Sequence, residues 1–172
     1  AGSWQDGLCR TDKNDNVTIF RHKPGSDKGL KSDFGRDCCE DASGRIWIGT
    51  DVGLESFDPA TGTFNHQYYS DYRQKTNPIS IWCLAKDDQG NIWFGTYFNG
   101  LQWFPPDHEV YTWYRPSVVE GEGLSYPIAG SIVEDTHGNL YIATEGGGVN
   151  YLNRKTGHIK WFTKTNCGLT SN

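Results

Sequence analysis

The sequence predicts an all-β fold made of about three and a half four-stranded antiparallel units. Three observations carry that prediction. One phrase recurs along the 172 residues: GRIWIGTDVGLESF from Gly44, GNIWFGTYFNGLQWF from Gly90 and GNLYIATEGGGVNYL from Gly138, spaced 46 and 48 residues apart. Each phrase opens on a tight turn with Asp first and Gly fourth, the residue preference of a type I turn. Each turn feeds a short run that is apolar on both faces, as in a strand covered on both sides. Four-stranded units repeating at roughly 40–50 residues are the blades of a β-propeller. A helical or leucine-rich repeat would need a different strand content, and a plain sandwich would not restate itself at fixed spacing.

The units divide the chain into a partial blade over 1–32 and blades over 33–78, 79–125 and 126–172, the last with an exit linker. Strand A of each full blade precedes the Asp turn, around Phe34–Cys39, Ile79–Ala85 and Ile128–Val133. The turns are Asp41 to Gly44, Asp87 to Gly90 and Asp135 to Gly138, where the aspartates cap the backbone. Strand B follows with Ile46-Trp47-Ile48, Ile92-Trp93-Phe94 and Leu140-Tyr141-Ile142, then Gly-Thr or Ala-Thr. A variable B–C turn leads to Gly-Leu or Gly-Val and strand C.

The C–D turns Asp58–Gly62 and Asn153–Gly157 have Asp or Asn first and Gly fifth, which suits a hairpin closed by a left-handed Gly. The N-terminal copy, Asp12–Asn16, places Asn where the others place Gly, and Asn is expected to take the positive φ. Pro105 and Pro106 predict a differently shaped turn in the third copy. Strand D lies around Val17–Phe20, Phe64–Tyr68, Val110–Tyr114 and Ile159–Phe162. No helical period is present anywhere.

Composition excludes several classes. Lys and Arg number 16 against 21 Asp and Glu, a net charge of −5, which argues against a nucleic-acid partner. No stretch approaches the roughly 18 apolar residues of a membrane span, so no direct membrane contact is expected. None of the five cysteines (Cys9, Cys38, Cys39, Cys83 and Cys167) forms a C-x-x-C pair. They read as small buried hydrophobes on strands. No nucleotide, Ca²⁺-loop or nucleophile-elbow motif occurs, and neither a cofactor nor a metal is expected.

GSWQDGLCRT, from Gly2, aligns without gaps with GTYFNGLQWF, from Gly95. Residue 1 therefore reads as the end of a strand B, and the whole as a fragment of a larger propeller. The remaining blades of that propeller are its expected partners. Uncovered edges and faces also invite pairing with another copy, so a homodimer is expected.

The phrase D-x-x-G-x-[IL]-[WY]-[IF]-[GA]-T, followed by G-[LV], an aromatic and D-P-x-T-G-x-F, resembles the two-component regulator propeller repeat. It departs at Ala143 for Gly, Tyr141 for Trp and Pro105 for Asp. The resemblance implies the periplasmic sensor region of a hybrid two-component system, the ectodomain of an inner-membrane protein with a histidine kinase beyond the membrane. It further implies an oligosaccharide ligand derived from glycans, sensed without catalysis by this segment. The repeats are also similar to those of streptogramin lyases, an enzyme class whose chemistry needs one His with acidic metal ligands. A pure interaction scaffold is the third reading.

Strand direction alternates, so the B–C turns and the D–A connections share one face of a blade and the tight Asp turns lie on the other. The long connections, Ser70–Pro78 and Arg115–Pro127, make the first face the expected ligand face. Trp4, Tyr97 and Phe98 on its B–C turns offer flat apolar rings, and Gln5, Asp6 and Asn99 offer hydrogen-bonding rims, a combination suited to sugars. The alternative is that these rings wedge between blades. Arg73, Lys75 and Arg115 on the long connections could meet an anionic sugar, or be ordinary solvated charge. The five histidines, His22, His66, His108, His137 and His158, read as surface imidazoles without an acidic partner at ligand spacing.

Overall fold

The computed structural model describes residues 5–26, 29–67, 79–106 and 111–172. Among them the chain forms a two-stranded sheet of β1 (Leu8–Thr11) and β2 (Val17–Phe20), followed by three four-stranded antiparallel sheets. The first of these holds β3 (Gly35–Glu40), β4 (Ile46–Thr50), β5 (Gly53–Asp58) and β6 (Thr63–Gln67). The next holds β7 (Ile81–Lys86), β8 (Ile92–Thr96), β9 (Leu101–Phe104) and β10 (Thr112–Tyr114). The last holds β11 (Ala129–Glu134), β12 (Leu140–Thr144), β13 (Gly148–Leu152) and β14 (Ile159–Phe162). Neighbours in each sheet are neighbours in sequence, so every sheet is one meander from A to D, and the strands amount to three and a half blades. The chain divides into two compact units, 1–81 and 82–172, each with its own core.

The first unit buries Leu8, Leu30, Ile48 and Phe57, with Phe20, Ile46 and Phe64 packed against them. Phe20, Phe57 and Phe64 meet pairwise with ring centroids 4.7 to 5.4 Å apart. In the second unit one face of β7–β10 supplies Ala85, Trp93, Leu101, Trp103 and Tyr114. The facing side of β11–β14 supplies Ala129, Leu140, Ile142, Leu152 and Ile159. Gly95 shows how closely the two blades approach, because a Cβ there would lie 2.3 Å from the Ala129 carbonyl oxygen. Strand β8 is buried along its whole length. Strand β12, equally apolar in sequence, alternates buried and exposed, since none of the described residues covers its outer side.

The Asp turns are built from hydrogen bonds within the turn. Gly44, Gly90 and Gly138 donate to the carbonyls of Asp41, Asp87 and Asp135 at 3.0 to 3.1 Å. Each carboxylate also accepts N–H groups two and four residues on. The sequence did not suggest a further bond: the second oxygen of Asp41 and of Asp87 accepts the indole N–H six residues on, from Trp47 at 2.9 Å and Trp93 at 2.8 Å. In the third copy Tyr141 replaces the indole, and the Asn139 amide donates to Asp135 as the Asn91 amide does to Asp87.

The β1–β2 turn corrects one expectation. The left-handed residue is Asp15, with φ 62°, and not Asn16. Asp15 donates to the Asp12 carbonyl, Asp12 donates to the Asn16 carbonyl, and the Asn16 amide donates to the Asp12 carboxylate. This C–D turn thus adopts the A–B geometry, with Asp15 where Gly44 stands. Replacing Asp15 by Gly should stabilise the first unit by about 0.5–1 kcal/mol by removing the left-handed penalty. Urea unfolding of the variant checks this, and a lower midpoint would contradict it.

Two further readings change. One short helix, α1 (Lys164–Cys167), follows β14 and ends on Gly168 with φ 75°. Of the cysteines only Cys83 is buried, while Cys38 and Cys167 are exposed. Cys38 lies on a strand whose outer residues meet solvent, and Cys167 lies in α1.

Candidate functional site

The Thr of each Gly-Thr or Ala-Thr pair closes the B–C turn behind it. The hydroxyls of Thr50, Thr96 and Thr144 donate to the carbonyls of Gly53, Gly100 and Gly148 at 2.8 to 2.9 Å. In the β8–β9 turn the Asn99 N–H returns a bond to Thr96 Oγ1 at 3.1 Å, and Gly100 donates to the Pro127 carbonyl. This short, doubly tied loop places Phe98 at φ 78°, a backbone region that bulky residues rarely adopt. A strained, exposed aromatic on a fixed loop is a functional-site signal.

Tyr97 and Phe98 are 40 % and 59 % exposed. They form an edge contact with centroids 4.3 Å apart, and Tyr97 stacks on Trp82 of β7 at 5.2 Å and 23°. Sequence reasoning missed Trp82 because its stacking partner lies 15 positions along the chain, across the blade. Its signal was a Trp opening a strand whose counterparts are Arg36 and Gly130. Gly130 lies beside the Trp82 ring. The result is a row of three rings, Trp82–Tyr97–Phe98, with half-buried Asn99 in the same turn. Such a row can stack on an apolar ring face.

The other proposed site residues lie elsewhere. In the first unit, Gln5 and Asp6 are exposed, and Asp6 pairs with Arg21 at 2.8 Å. Trp4, Arg73 and Lys75 fall outside the described residues. The Arg115 guanidinium lies 4.8 Å over the Trp113 ring. The connection that carries Arg115 is not an open loop: Ser117 and Leu124 bond back across it, and Gly121 bridges to Ile159 on edge strand β14. Trp161 donates from its indole to the Gly123 carbonyl and from its backbone to Glu120. Half of this long connection therefore shields a sheet edge, a role the sequence pattern did not reveal.

On the Asp-turn side, Asp87 is buried and is paired by Arg154, whose Nη2 lies 2.8 Å from Asp87 Oδ2 and whose Nη1 lies 3.0 Å from Glu134 Oε1. Burial raises the Glu134 carboxyl above its ordinary range. Asp135 is held below its ordinary range, first by the Asn139 N–H. These aspartates act on their own turns and on packing.

The histidine reading needs one correction. His66 is nearly buried, and its Nδ1 lies 3.1 Å from Glu55 Oε2. The register sets Glu55 directly opposite His66 on β5 and β6, a pairing that spacing along one strand could not show. Both Glu55 oxygens also accept the Lys31 N–H, and burial pushes the Glu55 carboxyl up to about 7. Glu55 is 2 % exposed, so the pair is sealed from any substrate. His22 is half-buried, with Nδ1 2.9 Å from the Leu30 carbonyl. His137 and His158 are exposed, and His108 falls outside the described residues. No group of three or more His, Cys, Asp or Glu able to hold a metal occurs among the described residues.

Residues 31–52 and 76–98 match the family described as two component regulator propeller. No curated protein matches the chain. Among solved structures, the extracellular domain of a B. thetaiotaomicron protein described as a hybrid two component system superposes with a TM-score of 0.75 at 21 % identity, over 96 % of this chain and 23 % of that one. The extracellular domain of a second such protein from the same organism gives 0.52 at 19 %, over 99 % and 27 %. Virginiamycin B lyase from Staphylococcus aureus gives 0.57 at 15 %, over 87 % and 46 %. The chain thus spans about a quarter of the length of the two extracellular domains, and the likeness establishes the fold. No helix among the described residues is long and apolar enough to cross a membrane.

Proposed function

Because the chain carries two component regulator propeller repeats on a fold shared with extracellular sensor domains, we propose that it is a ligand-sensing propeller segment of a periplasmic two-component sensor. Its ligand is an oligosaccharide derived from glycans, and the segment itself is non-catalytic. Ligand contact biases the arrangement of the extracellular region, and a histidine kinase in the same protein reads that bias across the membrane. The observation that carries the ligand reading is the Trp82–Tyr97–Phe98 row. Pyranose rings have an apolar C–H face and a polar rim, which fits stacked aromatics beside the Asn99 amide. The lyase-type reading has less support, since the described acid–imidazole pair, Glu55–His66, is closed to substrate.

Calorimetric titration with a panel of neutral and anionic oligosaccharides tests the proposal. Binding by the native chain should weaken at least about tenfold in a Tyr97→Ala/Phe98→Ala variant, the loss of one to two stacking contacts. Phe98 is 59 % exposed and Tyr97 gives up its stack on Trp82, so the unfolding midpoint should fall only slightly, and far-UV circular dichroism should confirm that the variant is folded. Undiminished binding by the variant removes the platform as the site, and no binding to any panel member removes the oligosaccharide.

A further inference from the structure

Each full blade buries one polar side chain at the same place on its third strand, two residues after the glycine that closes the B–C turn. These are Glu55, Gln102 and Asn150, at 2 %, 0 % and 0 % exposure. In the last blade this side chain anchors the connection that enters the blade. Asn150 Oδ1 accepts the Ser125 N–H at 2.7 Å, and Asn150 Nδ2 donates to Ser125 Oγ at 2.8 Å. Glu55 anchors the β2–β3 connection in the same way, since its two oxygens accept the Lys31 N–H at 3.1 and 3.2 Å. The anchored residue precedes its anchor by 24 positions in the first case and 25 in the second, so the two devices are equivalent.

Among the full blades, the first alone makes this anchor from an acid, and it alone sets an imidazole opposite. The register places His66 across from Glu55, where Trp113 stands across from Gln102 and Trp161 across from Asn150. An acid and an imidazole thus replace an amide and an indole at one buried pair, with His66 Nδ1 3.1 Å from Glu55 Oε2. A protonated carboxyl suits this place: its O–H donates to His66 Nδ1 while its other oxygen accepts the Lys31 N–H. Loss of that proton leaves a full negative charge away from water, which costs far more than a buried amide. Lys31 and His22 from the connection and His66 from β6 favour the charge, and Asp51 from the β4–β5 turn opposes it.

We propose that Glu55 and His66 form a proton-operated latch on the β2–β3 connection: while they share a proton the connection stays on Glu55, and when the proton leaves the connection opens and water reaches the carboxylate. The connection lies beside a B–C turn, where Ser32 Oγ donates to Asp51, so the latch couples pH to the shape of that face of the first unit. The coupling stands apart from the oligosaccharide reading and needs no ligand. Burial pushes the Glu55 carboxyl up to about 7 from the ordinary 4.5, and opening returns it to the ordinary value. The closed form is therefore fully favoured below about pH 4.5. The opening constant rises as pH climbs toward about 7 and is level above, a total change of up to about 300-fold.

Hydrogen exchange of single amides in the native chain, followed by NMR from about pH 4.5 to 8.5 and divided by the intrinsic rate at each pH, tests the latch. The protection factor of the Lys31 amide should fall on the order of 100-fold across that range. The Ser125 amide, held by the neutral Asn150, should show no such fall. Lys31 should also be at least about tenfold less protected than the Ile48 amide of β4, because the connection opens without the core. In Glu55→Gln the Lys31 amide should lose its pH dependence. Where that variant fails to fold, the comparison of Lys31 with Ser125 and Ile48 in the native chain still decides. A Lys31 protection factor level with pH, or equal to that of Ile48 throughout, overturns the latch. So does an equal fall at Ser125, or a folded Glu55→Gln variant that keeps the pH dependence.

Discussion

Replacing Arg154 with alanine is expected to destabilise the second unit by about 3–5 kcal/mol, the usual cost of removing one partner from a buried ion pair. Arg154 sits in the β13–β14 turn with its side chain only 15 % exposed. Its fork joins Asp87 and Glu134, donates to Gln89 Oε1 and the Gly138 carbonyl, and lies 5.4 Å over the Trp93 ring. Removing it leaves the Asp87 carboxylate buried without a cation and leaves one side of Trp93 unpacked. Arg154→Lys should recover only part of the loss, because an ammonium cannot span both carboxylates in the plane of a guanidinium. Urea unfolding of the two variants measures the order. An alanine variant within about 0.5 kcal/mol of the native chain, the range of ordinary surface substitutions, would show that Arg154 holds nothing together.

Glu55→Gln is expected to raise stability at alkaline pH and to flatten its pH dependence. In the folded chain the carboxyl ionises at about 7 instead of the ordinary 4.5, because burial opposes its charge. The folded state therefore holds the proton more tightly than the unfolded state. Stability is full below about pH 4.5, falls as pH rises to about 7 and is level above, a loss of about 3 kcal/mol. His66, Lys31 and His22 face the carboxyl and offset part of the cost, while Asp51 adds to it. Glutamine keeps an acceptor for the Lys31 N–H, and it is the residue found at Gln102, the same register position one blade on. The native and variant curves should meet near pH 4.5 and separate toward pH 8. Parallel curves would mean that Glu55 stays ionised throughout.

Position in the chain predicts some of these features well. Strand order and turn positions were legible because each rests on neighbours within about six residues. Asp41 bonds Ser43, Arg45 and Trp47, and Thr96 bonds Gly100. The exception at Asp15 is instructive, since a turn of the same length can hold its left-handed residue at the fourth or the fifth place. The residues of the β8–β9 turn, Tyr97, Phe98 and Asn99, were equally legible, because a variable stretch between two fixed glycines marks a loop.

Partners from distant parts of the chain were not legible. Trp82 reaches Tyr97 across a blade, Arg154 reaches Asp87 across two, and His66 meets Glu55 only in one register. The order of residues by itself determined the strands, the turns and the repeat, since hydrogen bonds and steric limits between near neighbours dictate them. Tertiary structure alone decided which rings stack and which charges pair. Those outcomes depend on the packing of whole sheets, and no short window of sequence contains both sides of such a contact.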